Sequence, residues 1–278
     1  MTTAVKQNKG RILLLAALVV ITLVWLLPFF TAVITSFRSN DEIMTQGLFS
    51  FPRSIGFQSY KAAWTRGEIR KYIPNSFIIT IPSLILTLWL SSLTGYALSR
   101  FQFRGRRLIL GIYVGGMMLP FQILLLPVFR LSEALGIYDT YWGLIAIHTA
   151  FQLGFCTFVL SNYMVTIPIS LSEAARIDGC PEFRIYWQII MPLVKPALAA
   201  VATLEFTWIF NDYIWALILI RTSDKLPVTA GLAALQGQYV MDWTVIVAGA
   251  LIASVPTIIV FVFLQKYFIE GLTMGSNK

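Results

Sequence analysis

Ile167-Pro-Ile-Ser-Leu-Ser-Glu173-Ala-Ala-Arg-Ile-Asp-Gly179-Cys-Pro-Glu-Phe-Arg-Ile-Tyr-Trp-Gln-Ile189-Ile-Met-Pro192 stands between two long apolar runs, residues 141–162 and 196–220. Its local chemistry predicts two short helices. Ser170 and Glu173 have the spacing of a capping box, with the hydroxyl on the first turn and the carboxylate reaching back to an orphan N–H. Gly179 suits the left-handed residue that ends a helix, Pro181 suits the first turn of the next one, and Pro192 and Pro196 frame the start of the following run. A capped helical pair between two runs of about 20 apolar residues reads as a loop between two membrane spans.

Outward from this loop the same pattern repeats. Helices are expected at residues 12–34, 75–98, 108–129, 141–162, 196–220 and 245–264, each close to the ~20 residues that cross a hydrocarbon core. Composition agrees: 57% of the 278 residues are hydrophobic and 12% charged, against about a quarter charged in an ordinary soluble domain. The fold expected is an all-α integral membrane protein, one transmembrane domain over residues 1–278. The first run follows Lys6, Lys9 and Arg11. It is longer than the ~7–15 residues of a signal-peptide core and lacks a small-residue cleavage site, so it is expected to be a retained helix. Pro82, Pro120, Pro127 and Pro256 fall within or at the ends of spans, where they free carbonyls that neighbours or a water path must satisfy.

Six spans put both termini on one side. If that side is the cytoplasm, inside segments hold twelve Lys and Arg, the two short outside loops hold Arg130, Arg221 and Lys225, and a long outer loop holds six more. Cationic residues concentrate in cytoplasmic loops, most strongly in short ones. The contrast of twelve to three places both termini inside. The net charge of +8 follows from this topology. It is not gathered into the basic, aromatic-interleaved stripe of a nucleic-acid groove.

Other chemistry is sparse. Cys156 in a span and Cys180 in the loop are expected to lie apart, with no metal or redox spacing. His148 is the only histidine; it reads as a helix-packing residue with one partner. Gly111 with Gly115, and Ala146, Ala150 and Gly154, recur at intervals of four, a pattern that lets helices approach closely. It is read as packing within the chain. On a continuous fifth helix, Glu205, Trp208, Asp212 and Trp215 share an arc of roughly 80°. A carboxylate in hydrocarbon costs a few kcal/mol, so this side faces protein or water. Acids beside indoles suit sugar hydroxyls and C–H faces; equally, they suit helix–helix contacts or a partner subunit. Both readings stay open for Glu205, Trp208, Asn211 and Asp212.

The loop also carries a resemblance. Glu173-Ala174-Ala175, Gly179, Ile189 and Pro192 follow the spacing found in permease subunits of bacterial ABC importers; Met191 and Cys180 replace a usual Leu and Ala. Further matching stretches are Gly95-Tyr-Ala-Leu-Ser-Arg100-Phe, Leu119-Pro-Phe-Gln122 with Pro127, Leu135-Gly-Ile-Tyr-Asp-Thr140, Phe210-Asn-Asp-Tyr213 and Gly271-Leu-Thr273. The whole chain resembles the carbohydrate branch and is similar to the second permease of the maltose transporter.

The resemblance implies a type I importer bundle in the bacterial inner membrane. Residues 167–192 would form a coupling loop, with Glu173, Ala174, Ala175, Arg176, Asp178 and Gly179 meeting the ATPase, and Gly271, Leu272 and Thr273 touching it from the C-terminal tail. It implies a second homologous permease, two ATP-binding subunits that carry ATP and Mg, and an extracytoplasmic sugar-binding protein. This chain lacks the Gly-x-x-x-x-Gly-Lys-Ser/Thr phosphate loop, so it is expected to transport without hydrolysing ATP itself. A secondary transporter of a small polar solute is the alternative, though no internal repeat of the usual kind is visible.

Overall fold

Long apolar stretches with no water to satisfy their backbone must close their hydrogen bonds internally, and helices do so. The computed structural model describes residues 2–47, 50–53, 55–235 and 242–273, which hold helices and no strands. In chain order these are α1 (Thr2–Ser36), α2 (Asn40–Gln46), α3 (Gln58–Thr65), α4 (Ile69–Arg100), α5 (Arg106–Met117), α6 (Phe121–Ala134), α7 (Tyr141–Thr166) and α8 (Ser170–Ile177). After them come α9 (Glu182–Arg184), a π-helical turn (Ile185–Ile190), α10 (Met191–Phe210), α11 (Ile214–Leu219), α12 (Val228–Leu235) and α13 (Trp243–Thr273). Among the described residues five helical stretches are long and apolar enough to cross a bilayer, and the pair α5–α6 makes a sixth if read as one span.

Three spans differ from expectation. The second begins at Ile69 rather than residue 75, because Pro74 lies within the helix instead of delimiting it. The third, expected as one helix over 108–129, bends by 102° between α5 and α6. Pro120 stands at the break with ψ 121°; it has no N–H to continue the ladder, and it disfavours helix at the residue before it. The fifth was expected to run from 196 to 220. Instead its apolar stretch covers Glu182–Phe210. Pro192 lies within this stretch, directly after the π-helical turn Ile185–Ile190, where the altered ladder accommodates a residue without an N–H.

The chain divides into two compact units. One is Met1–Ile69 with Leu232–Ala253. Here α1 leaves every side chain from residue 10 to residue 30 exposed, as a lipid-facing or partner-facing helix does. Ser39 caps α2 by accepting the Glu42 N–H, and Phe37, Phe57 and Tyr60 form an aromatic cluster beside it.

The other unit is Arg70–Gly231 with Ser254–Lys278. Its core has two parts. Towards the 167–192 loop, Tyr96 of α4, Cys156, Leu160 and Met164 of α7 and Val194, Ala197 and Val201 of α10 pack with Ile167, Ala175, Ile185 and Tyr186 of the loop. Towards the opposite end, Ile79, Leu144, Ile209, Trp215, Leu219 and Ala230 pack together. Helix α4 contributes small hydroxyl side chains, Ser76, Thr80, Ser83, Thr87 and Ser91, all buried and recurring every three or four residues. Such a face lets backbones approach where lipid supplies no hydrophobic drive. Gly95 makes a close backbone approach: an added Cβ would lie 3.2 Å from the Ser161 backbone nitrogen of α7.

The expected packing of small residues is borne out in part. A Cβ on Gly154 would stand 3.2 Å from the Tyr113 carbonyl, so Gly154 seats α7 against α5. Gly111 and Gly115 lie elsewhere on α5, with nothing within 4 Å of such a Cβ. Among the described residues they take no part in close packing.

Candidate functional site

The 167–192 segment is a rigid part of the fold. Helix α8 begins at Ser170 itself, with Ile169 in the cap position expected for Ser170. Leu171 N–H donates to the Pro168 carbonyl, and Ser172 and Glu173 donate to that of Ile169. Ser170 therefore lies inside the first turn, and the capping box does not form. The C-terminal end matches expectation. Gly179 has φ +77°, its N–H donates to Arg176 at 3.0 Å, and that of Cys180 donates to Ala175 at 2.9 Å. These are the paired bonds of a Schellman motif, whose left-handed residue is usually glycine.

The helix has two faces. Ser172 and Ala175 are buried, with Ala175 set into the core. Glu173, Ala174, Asp178 and Gly179 are exposed and Arg176 is half-buried. Beside them Ile177 is 87% exposed and Phe183 is 71% exposed. Ile177 and Phe183 thus put apolar surface on the outer side of a segment whose other face is fixed in the core.

Glu182, which sequence reasoning passed over, holds the turn together. Its carboxylate accepts from Arg176 Nε at 2.5 Å and Nη2 at 3.3 Å, and from the Tyr96 hydroxyl at 2.8 Å. The Arg176 guanidinium lies 5.9 Å from the Phe101 ring centroid. Arg176 thus faces inwards as much as outwards. The visible signal was a cation and an acid on either side of a glycine turn.

The second constellation is redrawn by the structure. Helix α10 ends at Phe210, and Asn211-Asp212-Tyr213 breaks the span before α11. Asp212 is not on a helix face: its carboxylate accepts the N–H groups of Trp215 at 3.4 Å and Ala216 at 3.2 Å, starting α11 as a cap does. The expected arc of Glu205, Trp208, Asp212 and Trp215 therefore does not exist. Glu205 is wholly buried and accepts from the Cys156 thiol at 3.2 Å. Asn211 donates to the Thr207 carbonyl at 2.8 Å.

Trp208 and Asp212 do come together, with residues of α7. They line a cavity of about 140 Å³ together with His148, Phe151, Gln152 and Trp215. His148 is 5% exposed, and its Nε2 lies 3.7 Å from Asp212 Oδ2, near it but beyond hydrogen-bond reach. An apolar cavity near 150 Å³ holds a six-membered ring; this one adds an imidazole, a carboxylate and an amide to aromatic walls. Phe151 and Gln152 were the residues missed. Their spacing of three and four from His148 was the available signal.

At the end opposite the loop, Asp139 ties two connections together. It accepts from the N–H groups of Arg221 at 3.0 Å and Thr222 at 2.9 Å, from the Thr222 hydroxyl at 2.6 Å and from Lys225 Nζ at 3.4 Å. Burial opposes its charge, but these bonds hold its carboxyl well below the usual carboxylate range. The C-terminal triplet Gly271, Leu272 and Thr273 continues α13; its side chains lie outside the described residues.

Known proteins share both sequence and architecture with this chain. It is 33% identical over 271 residues to the arabinooligosaccharides transport system permease protein AraQ of Bacillus subtilis, covering 96% of each chain. It is 32% identical over 273 residues to the diacetylchitobiose uptake system permease protein NgcG of Streptomyces coelicolor, covering 98% of this chain and 88% of that one. A crystal structure of a bacterial ABC transporter involved in the import of the acidic polysaccharide alginate contains a chain that superposes with a TM-score of 0.84. That chain is 26% identical, with 95% of this chain and 98% of that one covered. The family model described as "binding-protein-dependent transport system inner membrane component" matches residues 87–273, a range that takes in the loop, the Asp212 break and most of the core. With that match over more than half its length, the chain belongs to the inner-membrane permease components of binding-protein-dependent ABC transport systems.

Proposed function

We propose that this permease forms half of the membrane pathway of an ATP-driven importer for oligosaccharides or related glycosides. The observation that carries the reading is the locked loop: Gly179 closes α8, Ala175 keys it into the core, and Ile177 and Phe183 stand exposed. A rigid helix of this kind transmits rigid-body motion of a partner to the spans it joins. The partner is a separate ATP-hydrolysing subunit, two per complex, where ATP and Mg bind. Glu173, Ala174, Asp178 and Gly179 meet it, with the tail at 271–273 as a second contact.

Carbohydrate as the substrate class is supported by the relatives that transport arabinooligosaccharides and diacetylchitobiose and by the ring-sized cavity of His148, Gln152, Trp208 and Asp212. A second homologous permease supplies the other half of the pathway, and an extracytoplasmic sugar-binding protein delivers to it. The charge contrast between short loops supports cytoplasmic termini, which puts the 167–192 loop on the ATPase side. The membership of a binding-protein-dependent family sets aside a secondary transporter.

Gly179→Val tests this reading. The left-handed φ at Gly179 is strained for any side chain with a Cβ and most for a branched one. In the complete transporter the variant should insert normally and lose uptake. Normal uptake would show that the loop does not couple.

A further inference from the structure

Helix α4 is bonded at both ends to segments remote in sequence. At the loop end, Tyr96 donates to Glu182 at 2.8 Å, the hydroxyls of Ser92 and Tyr186 meet at 2.7 Å, and Arg100 Nη1 donates to the Ile167 carbonyl at 3.0 Å. At the other end, Asn75 donates to the carbonyls of Asp224 at 2.8 Å and Leu226 at 3.0 Å, and Ser76 accepts the Val228 N–H at 2.8 Å. The 32 residues of α4 span about 48 Å at 1.5 Å each, the full depth of a bilayer with its interfaces.

We propose that α4 is a strut that carries displacement of the coupling loop to the segment 222–231 on the outer side, with the Tyr96–Glu182 bond as its inner attachment. The inference rests on the coupling role of the loop proposed above. It adds a route to the two spans, α7 and α10, that the loop joins covalently. Glu182 is suited to it because one carboxylate binds both Arg176 of α8 and Tyr96 of α4. Such bidentate, charge-assisted bonds fix direction as well as distance, whereas apolar packing alone lets helices slide. Arg100 adds a means of resetting: its Nε and Nη2 are buried without an acceptor among the described residues, so donors are at hand for a second position of the loop. Tyr96 and Glu182 are therefore positioning residues for transport.

The test uses the complete transporter in sealed vesicles. Ser223→Cys reports the outer segment through its rate of labelling by a membrane-impermeant maleimide, nucleotide-free and with Mg-ATP trapped by vanadate. In this background the rate should change with nucleotide; an unchanging rate overturns the proposal. Adding Tyr96→Phe keeps the ring against Phe101 and Tyr186 and removes one hydroxyl. The nucleotide response should fall about tenfold, the weight of one hydrogen bond to a charged group, while ATP hydrolysis continues. Glu182→Gln, which keeps an acceptor, should retain part of the response and Glu182→Ala none. A full response in Tyr96→Phe and Glu182→Ala overturns the strut. So does loss of assembled complex in Tyr96→Phe and Glu182→Gln alike, which would assign the bond to folding. Gly179→Val separates the two levels: if the response survives it, the coupling role of the loop fails; if the response is lost there and kept in Tyr96→Phe, only the strut fails.

Discussion

The Cys156 thiol donates to the Glu205 carboxylate at 3.2 Å, and neither side chain is exposed. The pair joins α7 to α10 within the inner core, away from the cavity at Asp212. Glu205 thus makes a contact between α7 and α10. Its second oxygen has no hydrogen-bond partner among the described residues, so the thiol carries the contact. Cys156→Ala should cost about 1–3 kcal/mol, the penalty for leaving a buried polar group unpaired, while Cys156→Ser keeps a donor and should cost less. Thermal unfolding in detergent compares them; equal losses for Ser and Ala would remove the hydrogen bond from the account.

Asp212 combines a cap with a cavity wall. Asp212→Ala removes both acceptors from the first turn of α11 and should cost about 0.5–2 kcal/mol, as lost caps do. Asp212→Asn keeps an acceptor but removes the charge beside His148, so assembly should survive while sugar-stimulated ATP hydrolysis changes. Subunit stoichiometry and stimulated hydrolysis, measured on the same purified complexes, tell the effects apart. Full assembly with unchanged stimulation in Asp212→Ala would show that neither role holds.

Close approach makes Gly95 and Gly111 opposites. A Cβ at Gly95 meets α7 backbone at 3.2 Å, whereas one at Gly111 meets nothing within 4 Å. Gly95→Leu should lose about 1–3 kcal/mol or more through overpacking. Gly111→Ala should leave the separately purified chain as stable or more so, since alanine is the better helix former by up to about 1 kcal/mol. Melting temperatures of the two variants decide it, and similar losses at both sites would contradict the packing described.

Asp139 gives the outer connections a pH signature. Its carboxyl is depressed in the fold, because bonds from Thr222, Arg221 and Lys225 outweigh burial. A group of this kind contributes stability that is present above its unfolded value, about 3.9, and is lost only as pH falls through the lower folded value. Asp139→Asn should therefore be less stable than the native chain near neutral pH, with the gap closing only in strong acid. Unfolding curves from neutral to acid pH check this; a gap of constant size would refute it.

The sequence by itself determined the class, the number of apolar stretches, the rigid turn at Gly179 and the family. Each rests on patterns local in the chain: span length against bilayer thickness, a glycine where φ turns positive, and a motif with fixed spacing. Tertiary structure alone decided where spans break and which side chains meet. Helical periodicity assumes an unbroken helix, so a break at Asn211–Tyr213 turned Asp212 from a face residue into a cap, while the packing of α10 against α7 set Glu205 against Cys156. The loop's attachment to α4 was equally hidden, because Tyr96 and Glu182 stand 86 positions apart. Only the packing of α4 against the loop brings a phenol to a carboxylate across that interval, and no local rule of propensity or capping encodes such a pair.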